Sequence, residues 1–222
     1  MTAAEFTTSV EDYLKAIYEL SQALGGATPS GVAARLGVSR ASVSGMVHRL
    51  TKQGLVKHEP YQALRLTSGG RAVALQLVRR HRVIEAYLVK ALGYSWDRVH
   101  EEAERLEHTA SNELVDRMAV AIGGPTVDPH GAPIPTAGGA VAEPAYRALS
   151  ELAVGEKARI AQVEDEDADL LRHLGSLRLV PGATIRYLGQ EPFGGSHTIR
   201  IGSRTRRLAP SLAGRVFVSE LK

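Results

Sequence analysis

The stretch His100-Glu101-Glu102-Ala103-Glu104-Arg105-Leu106-Glu107-His108 holds the densest set of chemically capable side chains in the sequence. On a helix turning about 100° per residue, His100, Glu104, Glu107 and His108 share about a quarter of the circumference. Val99, Ala103, Leu106 and Ala110 form the adjoining apolar stripe, so the polar set lies beside a core and not opposite it. His81 and Glu85 make a second pair one helical turn apart, and Asp12 stands on the first predicted helix just ahead of Tyr13. Taken alone, such a stripe is a solvent-facing helix laced by pairs such as Glu101 with Arg105, each worth only about 0.2–0.5 kcal/mol. Four carboxylates and three histidines gathered at a core edge would instead repel one another or shift in pKa unless a cation neutralised them, which makes a bound metal the less costly explanation.

Other chemistries fit less well. A helical zinc peptidase needs His-Glu-x-x-His or His-x-x-Glu-His, and Glu104 stands where the first histidine of the latter belongs. A ferritin-like di-iron site needs paired Glu-x-x-His, and the residue three before His108 is Arg105. No glycine loop with a following lysine is present to cradle phosphate. With no cysteine among 222 residues, disulfides, thiolate zinc sites and thiol catalysis are excluded, so any metal must sit on His, Asp or Glu. The sequence therefore points to a binding protein and not to an enzyme.

The elements that must position these groups fall into three regions. The length suggests two or three domains, and the 44 % hydrophobic and 23 % charged fractions are those of a globular protein. The net charge of +3 is too small to identify a partner, but its distribution is informative. Thr28 to Arg80 holds nine Lys and Arg against the single acid Glu59, whereas His81 to Val120 holds eight acids against five bases. Tyr13, Leu14, Ile17, Tyr18 and Leu20 predict an opening helix ended by Gly25-Gly26, followed by helices beginning near Pro29 and at Ser39 with Gly37 between them. That is a helix-turn-helix outline. Leu55 to His58 and Ala63 to Leu66 then read as a hairpin bent at Pro60, which would be a wing.

In such a motif the second helix presents short or polar residues at its start to base edges and phosphates. Ser39, Arg40, Ala41, Ser42 and Gly45 fit, His48, Arg49 and Lys52 continue the positive face, and Lys57, His58 and Arg65 charge the wing. Further helices are predicted from about Ser68 to Leu92 and, unbroken, from about Trp96 to Ile122. Gly123 to Pro144 is a Gly/Pro connector, and Ala158–Val163, Thr184–Leu188, His197–Ile201 and Val216–Ser219 read as short strands with a helix at Leu170–Leu174. The fold class is thus mainly α with a winged helix-turn-helix, a helical middle region and a small C-terminal β-barrel, divided at 1–75, 76–144 and 145–222. The opening residues lack the basic start and apolar core of a signal peptide, and no stretch resembles a membrane span, so a cytoplasmic protein with no membrane partner is expected.

Four segments together resemble the diphtheria toxin repressor family of metal-dependent transcription regulators: Glu11 to Tyr18, Arg80 to Glu85, Val99 to His108, and Asp128-Pro129-His130-Gly131-Ala132-Pro133-Ile134-Pro135. The resemblance spans the whole chain and implies a winged helix, a helical dimerisation domain and an SH3-like C-terminal domain. It places metal-binding positions on Asp12, His81, Glu85, His100, Glu104, Glu107 and His108, with Gln162 and Asp165 lent by the SH3-like region. His130 reads as a turn residue and not as a ligand.

The iron-responsive branch typically carries methionine where Asp12 stands and cysteine where Glu104 stands. Hard carboxylates at both places resemble the manganese-responsive branch, and Mn(II) favours oxygen and imidazole donors. Lys15 departs from that branch, since some manganese regulators place a glutamate ligand there; two separate sites per subunit are therefore implied in place of a paired-metal centre. The expected protein is a homodimer that binds a pseudo-palindromic double-stranded DNA operator when Mn(II), or alternatively Fe(II) or another divalent cation, fixes the pose of its DNA-binding modules. The rival readings are an iron-responsive regulator of the same fold, a winged-helix regulator with an organic effector, and a non-haem metal enzyme.

Overall fold

Local signals fix each of the first helices. In helix α1 (Thr8–Ser21) the apolar positions fall on one face, burying Val10, Tyr13, Leu14, Ile17 and Tyr18. Helix α2 (Pro29–Leu36) starts with Pro29 in the first turn and the Thr28 side chain accepting from the Gly31 amide, and it stops at Gly37, whose φ of 64° closes a left-handed cap. Helix α3 (Arg40–Lys52) is capped by Ser39, whose hydroxyl accepts from the Ser42 amide, a bond worth about 1 kcal/mol. Val43, Val47 and Leu50, at helical spacing, are its buried stripe. Strands β1 (Val56–Lys57) and β2 (Arg65–Leu66) pair antiparallel with Lys57 opposite Arg65, and an isolated bridge joins Ala27 to Leu64. Thr67 caps helix α4 (Ser68–Leu92) through the Gly70 amide. Gly70 has to be glycine, because a Cβ there would lie 2.0 Å from the Leu55 carbonyl oxygen.

The computed structural model describes residues 6–22, 26–59, 62–164 and 167–221, so Gly25 and the predicted bend at Pro60 lie outside the described residues. It divides into two units. The first comprises Met1–His81, Glu107–Ala110 and Pro135–Ala140; the second comprises Arg82–Leu106, Ser111–Ile134 and Val141–Lys222. No helix among the described residues is long and apolar enough to cross a membrane.

The continuous helix expected from Trp96 to Ile122 is two helices, α5 (Val99–Glu107) and α6 (Asn112–Ala121). Ser111 starts the second by accepting from the Leu114 amide with its side chain, and its own backbone is extended. A capping serine inside an apolar period therefore overrides the periodicity.

The second unit also contains a six-stranded antiparallel sheet: β3 (Arg147–Ala148), β4 (Lys157–Val163), β5 (Thr184–Gln190), β6 (His197–Ile201), β7 (Arg204–Leu208) and β8 (Val216–Glu220), in the order β3-β8-β4-β5-β6-β7. Bulges interrupt β4 between Ile160 and Gln162 and β5 between Tyr187 and Gly189, bending the sheet as in an SH3-like domain. Helix α7 (Ala168–Leu177), capped by Asp167, lays Leu171 and Leu174 on a core with Leu149, Ile160, Ile185 and Val216. Each such buried aliphatic side chain contributes about 1.5–3 kcal/mol. A short helix α8 (Pro210–Ala213) precedes β8.

Candidate metal centre and nucleic-acid face

In the first unit, Asp12 on α1 meets Glu107 and His108 at the end of α5. Each offers one donor atom, and the three atoms lie within 4.8 Å of one another. His108 Nε2 is 2.9 Å from Asp12 Oδ1 and 3.5 Å from Glu107 Oε1. The other ring nitrogen, Nδ1, lies 2.8 Å from Glu11 Oε2. Both ring nitrogens thus face carboxylate acceptors; were Nε2 to ligate a cation together with Asp12 and Glu107, the proton left on the ring would be the one on Nδ1, held by Glu11. Holding a ligating imidazole through its second nitrogen is the usual way a protein fixes tautomer and ring orientation at a metal. Glu11 is in turn paired with Arg80 at 3.4 Å.

Lys15 is only 6 % exposed, and its ammonium donates to both oxygens of the fully buried Glu107 at 2.9 Å. His81 Nδ1 lies 2.7 Å from Glu107 Oε2 and 3.2 Å from Lys15 Nζ. One nitrogen cannot donate to the first and accept from the second; the shorter contact to the carboxylate favours donation. Lys15 thus supplies an internal positive charge beside the ligand cluster.

The second unit holds the remaining acids and histidines. Fully buried Glu85 places Oε1 3.2 Å from His100 Nδ1, and His100 Nε2 is 3.8 Å from the half-exposed Glu104. Glu85 also joins Asp128 and His130 in a second group of donors within 4.8 Å, all three buried. His130 is a turn residue, as read from the sequence, but its ring is fully buried: Nε2 donates to the Trp96 carbonyl at 2.7 Å and the ring stacks on Trp96. Sequence reasoning missed Glu11, Asp128 and His130; only the position of Asp128 at the head of a Pro/Gly turn hinted that its side chain would cap the loop. Gln162 lies half-buried in β4, its Cα 2.9 Å from where a Cβ on Gly131 would stand, and Asp165 lies outside the described residues.

The donors around Asp12, Glu107 and His108 are carboxylate oxygen and imidazole nitrogen, with no sulfur. This set fits a divalent cation of hard or borderline character. On the opposite side of the chemistry, Ser39, Arg40, Ala41, Ser42, Gly45 and Arg49 are all exposed on or at the start of α3, and Lys57 and Arg65 are exposed on the wing. A Cβ at Gly45 would meet nothing within 4 Å, so packing leaves that face open.

A winged helix together with a cluster of carboxylates and imidazoles defines a metal-dependent DNA-binding regulator, and comparison with known proteins agrees. Residues 5–64 match the family "Iron dependent repressor, N-terminal DNA binding domain", residues 67–136 "Iron dependent repressor, metal binding and dimerisation domain", and residues 147–220 "FeoA domain". The iron-dependent repressor IdeR of Mycobacterium tuberculosis is 32 % identical over 231 residues, covering 98 % of this chain and 99 % of the relative. The diphtheria toxin repressor of Corynebacterium diphtheriae is 35 % identical over 133 residues, covering 59 % of this chain and 58 % of the relative. Among solved structures, a manganese-dependent transcriptional repressor in complex with manganese superposes with a TM-score of 0.89 at 37 % identity, covering 96 % of this chain and 100 % of the other. The manganese regulator SloR gives 0.81 at 32 % identity, covering 97 % and 100 %. The chain belongs to the diphtheria toxin repressor family of metal-dependent, DNA-binding transcriptional repressors, whose members are not enzymes.

Proposed function

We propose that the chain is a manganese-responsive repressor of metal-uptake genes, acting as a homodimer on a pseudo-palindromic operator. The observation that carries this reading is the Asp12–Glu107–His108 cluster, made wholly of oxygen and imidazole donors, with Glu104 exposed on the same helix where soft sulfur would favour iron. The manganese-dependent solved structures support it, and the iron-dependent relatives keep Fe(II) as the second reading.

We assign metal-binding roles to Asp12, His81, Glu107 and His108 in the first unit and to Glu85, His100 and Glu104 in the second, with Gln162 and Asp165 as ligands lent by the C-terminal domain. A divalent ion at the first cluster supplies positive charge shared by groups on α1 and at the end of α5. Glu11 holds the His108 proton at Nδ1, Arg80 holds Glu11, and Asp12 presents its carboxylate from α1.

We divide the chain at 1–75, 76–144 and 145–222. Leu114 and Val120 are exposed on α6, within the stretch that matches a dimerisation domain, and suit an interface between two copies. Two copies would set their α3 helices into successive major grooves about 34 Å apart. There Arg40 and Arg49 meet bases or phosphates, Ser39 and Ser42 donate to phosphates, Ala41 and Gly45 allow close approach, and Lys57 and Arg65 hold the backbone from the wing.

The test is operator binding titrated with Mn(II), Fe(II), Zn(II) and a chelator. His108→Ala should lower metal-stimulated operator affinity at least a hundredfold while circular dichroism and dimer mass stay unchanged. Operator binding that ignores the chelator, or a His108→Ala protein that still responds to Mn(II), would refute the reading.

A further inference from the structure

The C-terminal sheet turns one face to its core and the other to solvent. Along β4 the exposed Lys157 and Arg159 alternate with the buried Ala158 and Ile160, and along β5 the exposed Thr184 and Arg186 alternate with the buried Ile185 and Tyr187. Strand β6 continues the pattern, with Arg200 exposed next to the buried Ile199. Antiparallel pairing then brings cations into line: Lys157 stands opposite Arg186, and Arg186 opposite Arg200. The row ends on β7 at Thr205, opposite Arg200. Directly opposed residues of an antiparallel pair project to the same face, so three cations stand side by side across three strands. Arg159, two residues beyond Lys157 on the same face, widens the patch.

Such a row is unfavourable for the sheet itself, because like charges placed directly opposite one another repel. Elsewhere in the domain arginines are neutralised: Arg147 pairs with Glu156, Arg172 with Asp169, Arg207 with Glu191 and Arg215 with Glu164. Among the described residues no carboxylate pairs with Lys157, Arg159, Arg186 or Arg200. Arg186 Nε donates to the Gly155 carbonyl at 3.2 Å, which offers no charge in return. Strands β4, β5, β6 and β7 contain no acidic residue at all. What would relieve the repulsion is an anion laid across the strands. A face of lysine, arginine and threonine donors is of the kind that holds phosphate oxygens.

We propose that this face is a second contact surface for duplex DNA, holding the sugar–phosphate backbone through Lys157, Arg159, Arg186 and Arg200. Neighbouring strands lie about 4.8 Å apart, so the row from Lys157 to Arg200 spans about 10 Å, a length in which one strand of B-DNA presents about three phosphates. The major groove admits a helix or a two-stranded ribbon, and a four-stranded face is too wide for it. The contact is therefore with phosphates and is independent of sequence, unlike that of α3. None of the four residues belongs to a donor group for metal, so no ion is needed. The surface rests on the chain being a DNA-binding repressor and not on which metal it senses. Release of counterions from the duplex makes the contact steeply dependent on salt.

The experiment follows binding of the full-length protein to a fluorescent duplex of arbitrary sequence by anisotropy, in chelator, from about 50 to about 200 mM salt. With Lys157→Gln, Arg186→Gln and Arg200→Gln combined, the slope of log affinity against log salt should become shallower by about 2 to 3, and affinity at the low-salt end should fall at least about tenfold. Arg200→Gln alone should reduce the slope by about 0.9, which keeps the test decisive if the triple variant does not fold. A charge-matched control, Arg172→Gln with Arg178→Gln and Arg215→Gln, removes three exposed arginines away from the row and should keep the slope of the unaltered chain. An unchanged slope in Arg200→Gln and the triple variant would overturn the surface; a control that lowers the slope equally would do so too, by showing that net charge alone matters. Loss of slope in the triple variant, from an unaltered chain whose operator binding ignores Mn(II), would refute the proposed function and leave this surface standing.

Discussion

The two donor groups hold their histidines in opposite ways. His108 is held at Nδ1 by the carboxylate of Glu11 and offers Nε2; His130 is held at Nε2 by the Trp96 carbonyl and offers Nδ1. A carboxylate partner makes the imidazole a stronger donor than a neutral carbonyl does. The first group also carries its own cation, Lys15, on both oxygens of Glu107, and keeps Asp12 about one-third exposed, so an ion has a way in. The second is closed on every side chain. The contrast sets a group that an incoming ion could reach, in competition with a built-in ammonium, against one that the fold closes.

The largest effect that tests this contrast comes from Lys15→Met. Removing the ammonium leaves the buried Glu107 carboxylate without its lysine, which should cost the metal-free chain about 3–5 kcal/mol, read as a lower unfolding midpoint in chelator. Mn(II) affinity should move the other way, tightening at least tenfold, about 1.4 kcal/mol, because the ion no longer meets a like charge. Unchanged affinity would show that Lys15 does not compete for Glu107. The next effect is smaller. Glu11→Gln keeps a hydrogen-bonding group near His108 Nδ1 but removes its charge, and loss of such a supporting carboxylate should weaken Mn(II) binding about 10- to 100-fold. The Mn(II) count should fall by the equivalent lost in His108→Ala.

These features differ in how far the sequence revealed them. The face carrying His100, Glu104, Glu107 and His108 was legible from helical spacing, as was the winged helix from its caps and glycines. The same spacing extended the helix past Thr109, where the Ser111 cap starts a new one, because an apolar period survives a one-turn interruption. Lys15 stood out as a departure from a family pattern, but spacing gives no sign that it reaches Glu107, 92 residues away in sequence. His130 was hidden for a related reason: Pro and Gly reveal a turn's backbone, while the packing partner of a turn side chain is set by distant elements such as Trp96 and β4.

In the sheet, strands rich in β-branched residues were readable. Strand β7 was not, since Arg204-Thr205-Arg206-Arg207-Leu208 looks like a charged run; it is one of the two edge strands, where charges on the outer side discourage pairing with other chains.

A third buried histidine separates metal chemistry from ordinary proton linkage. His197 on β6 is 3 % exposed and has Nδ1 2.8 Å from the Tyr187 hydroxyl, within the core of the C-terminal domain. Burial pushes its imidazole below the ordinary value of 6.5 and pushes the Tyr187 phenol above 10.0. Below pH 6.5 the unfolded chain binds a proton at His197 that the folded chain resists, so stability is full above that pH and falls as acid carries the solution down through the lowered pKa. His197→Gln should flatten this acid limb in urea denaturation followed from pH 7.5 to 5, with chelator present throughout so that pH-dependent metal binding does not contribute. The effect should be smaller than either substitution at the first cluster, because one proton is linked and no buried charge pair is broken. An acid limb of the same steepness in His197→Gln would show that the burial of this imidazole in the sheet core is not what costs stability in acid.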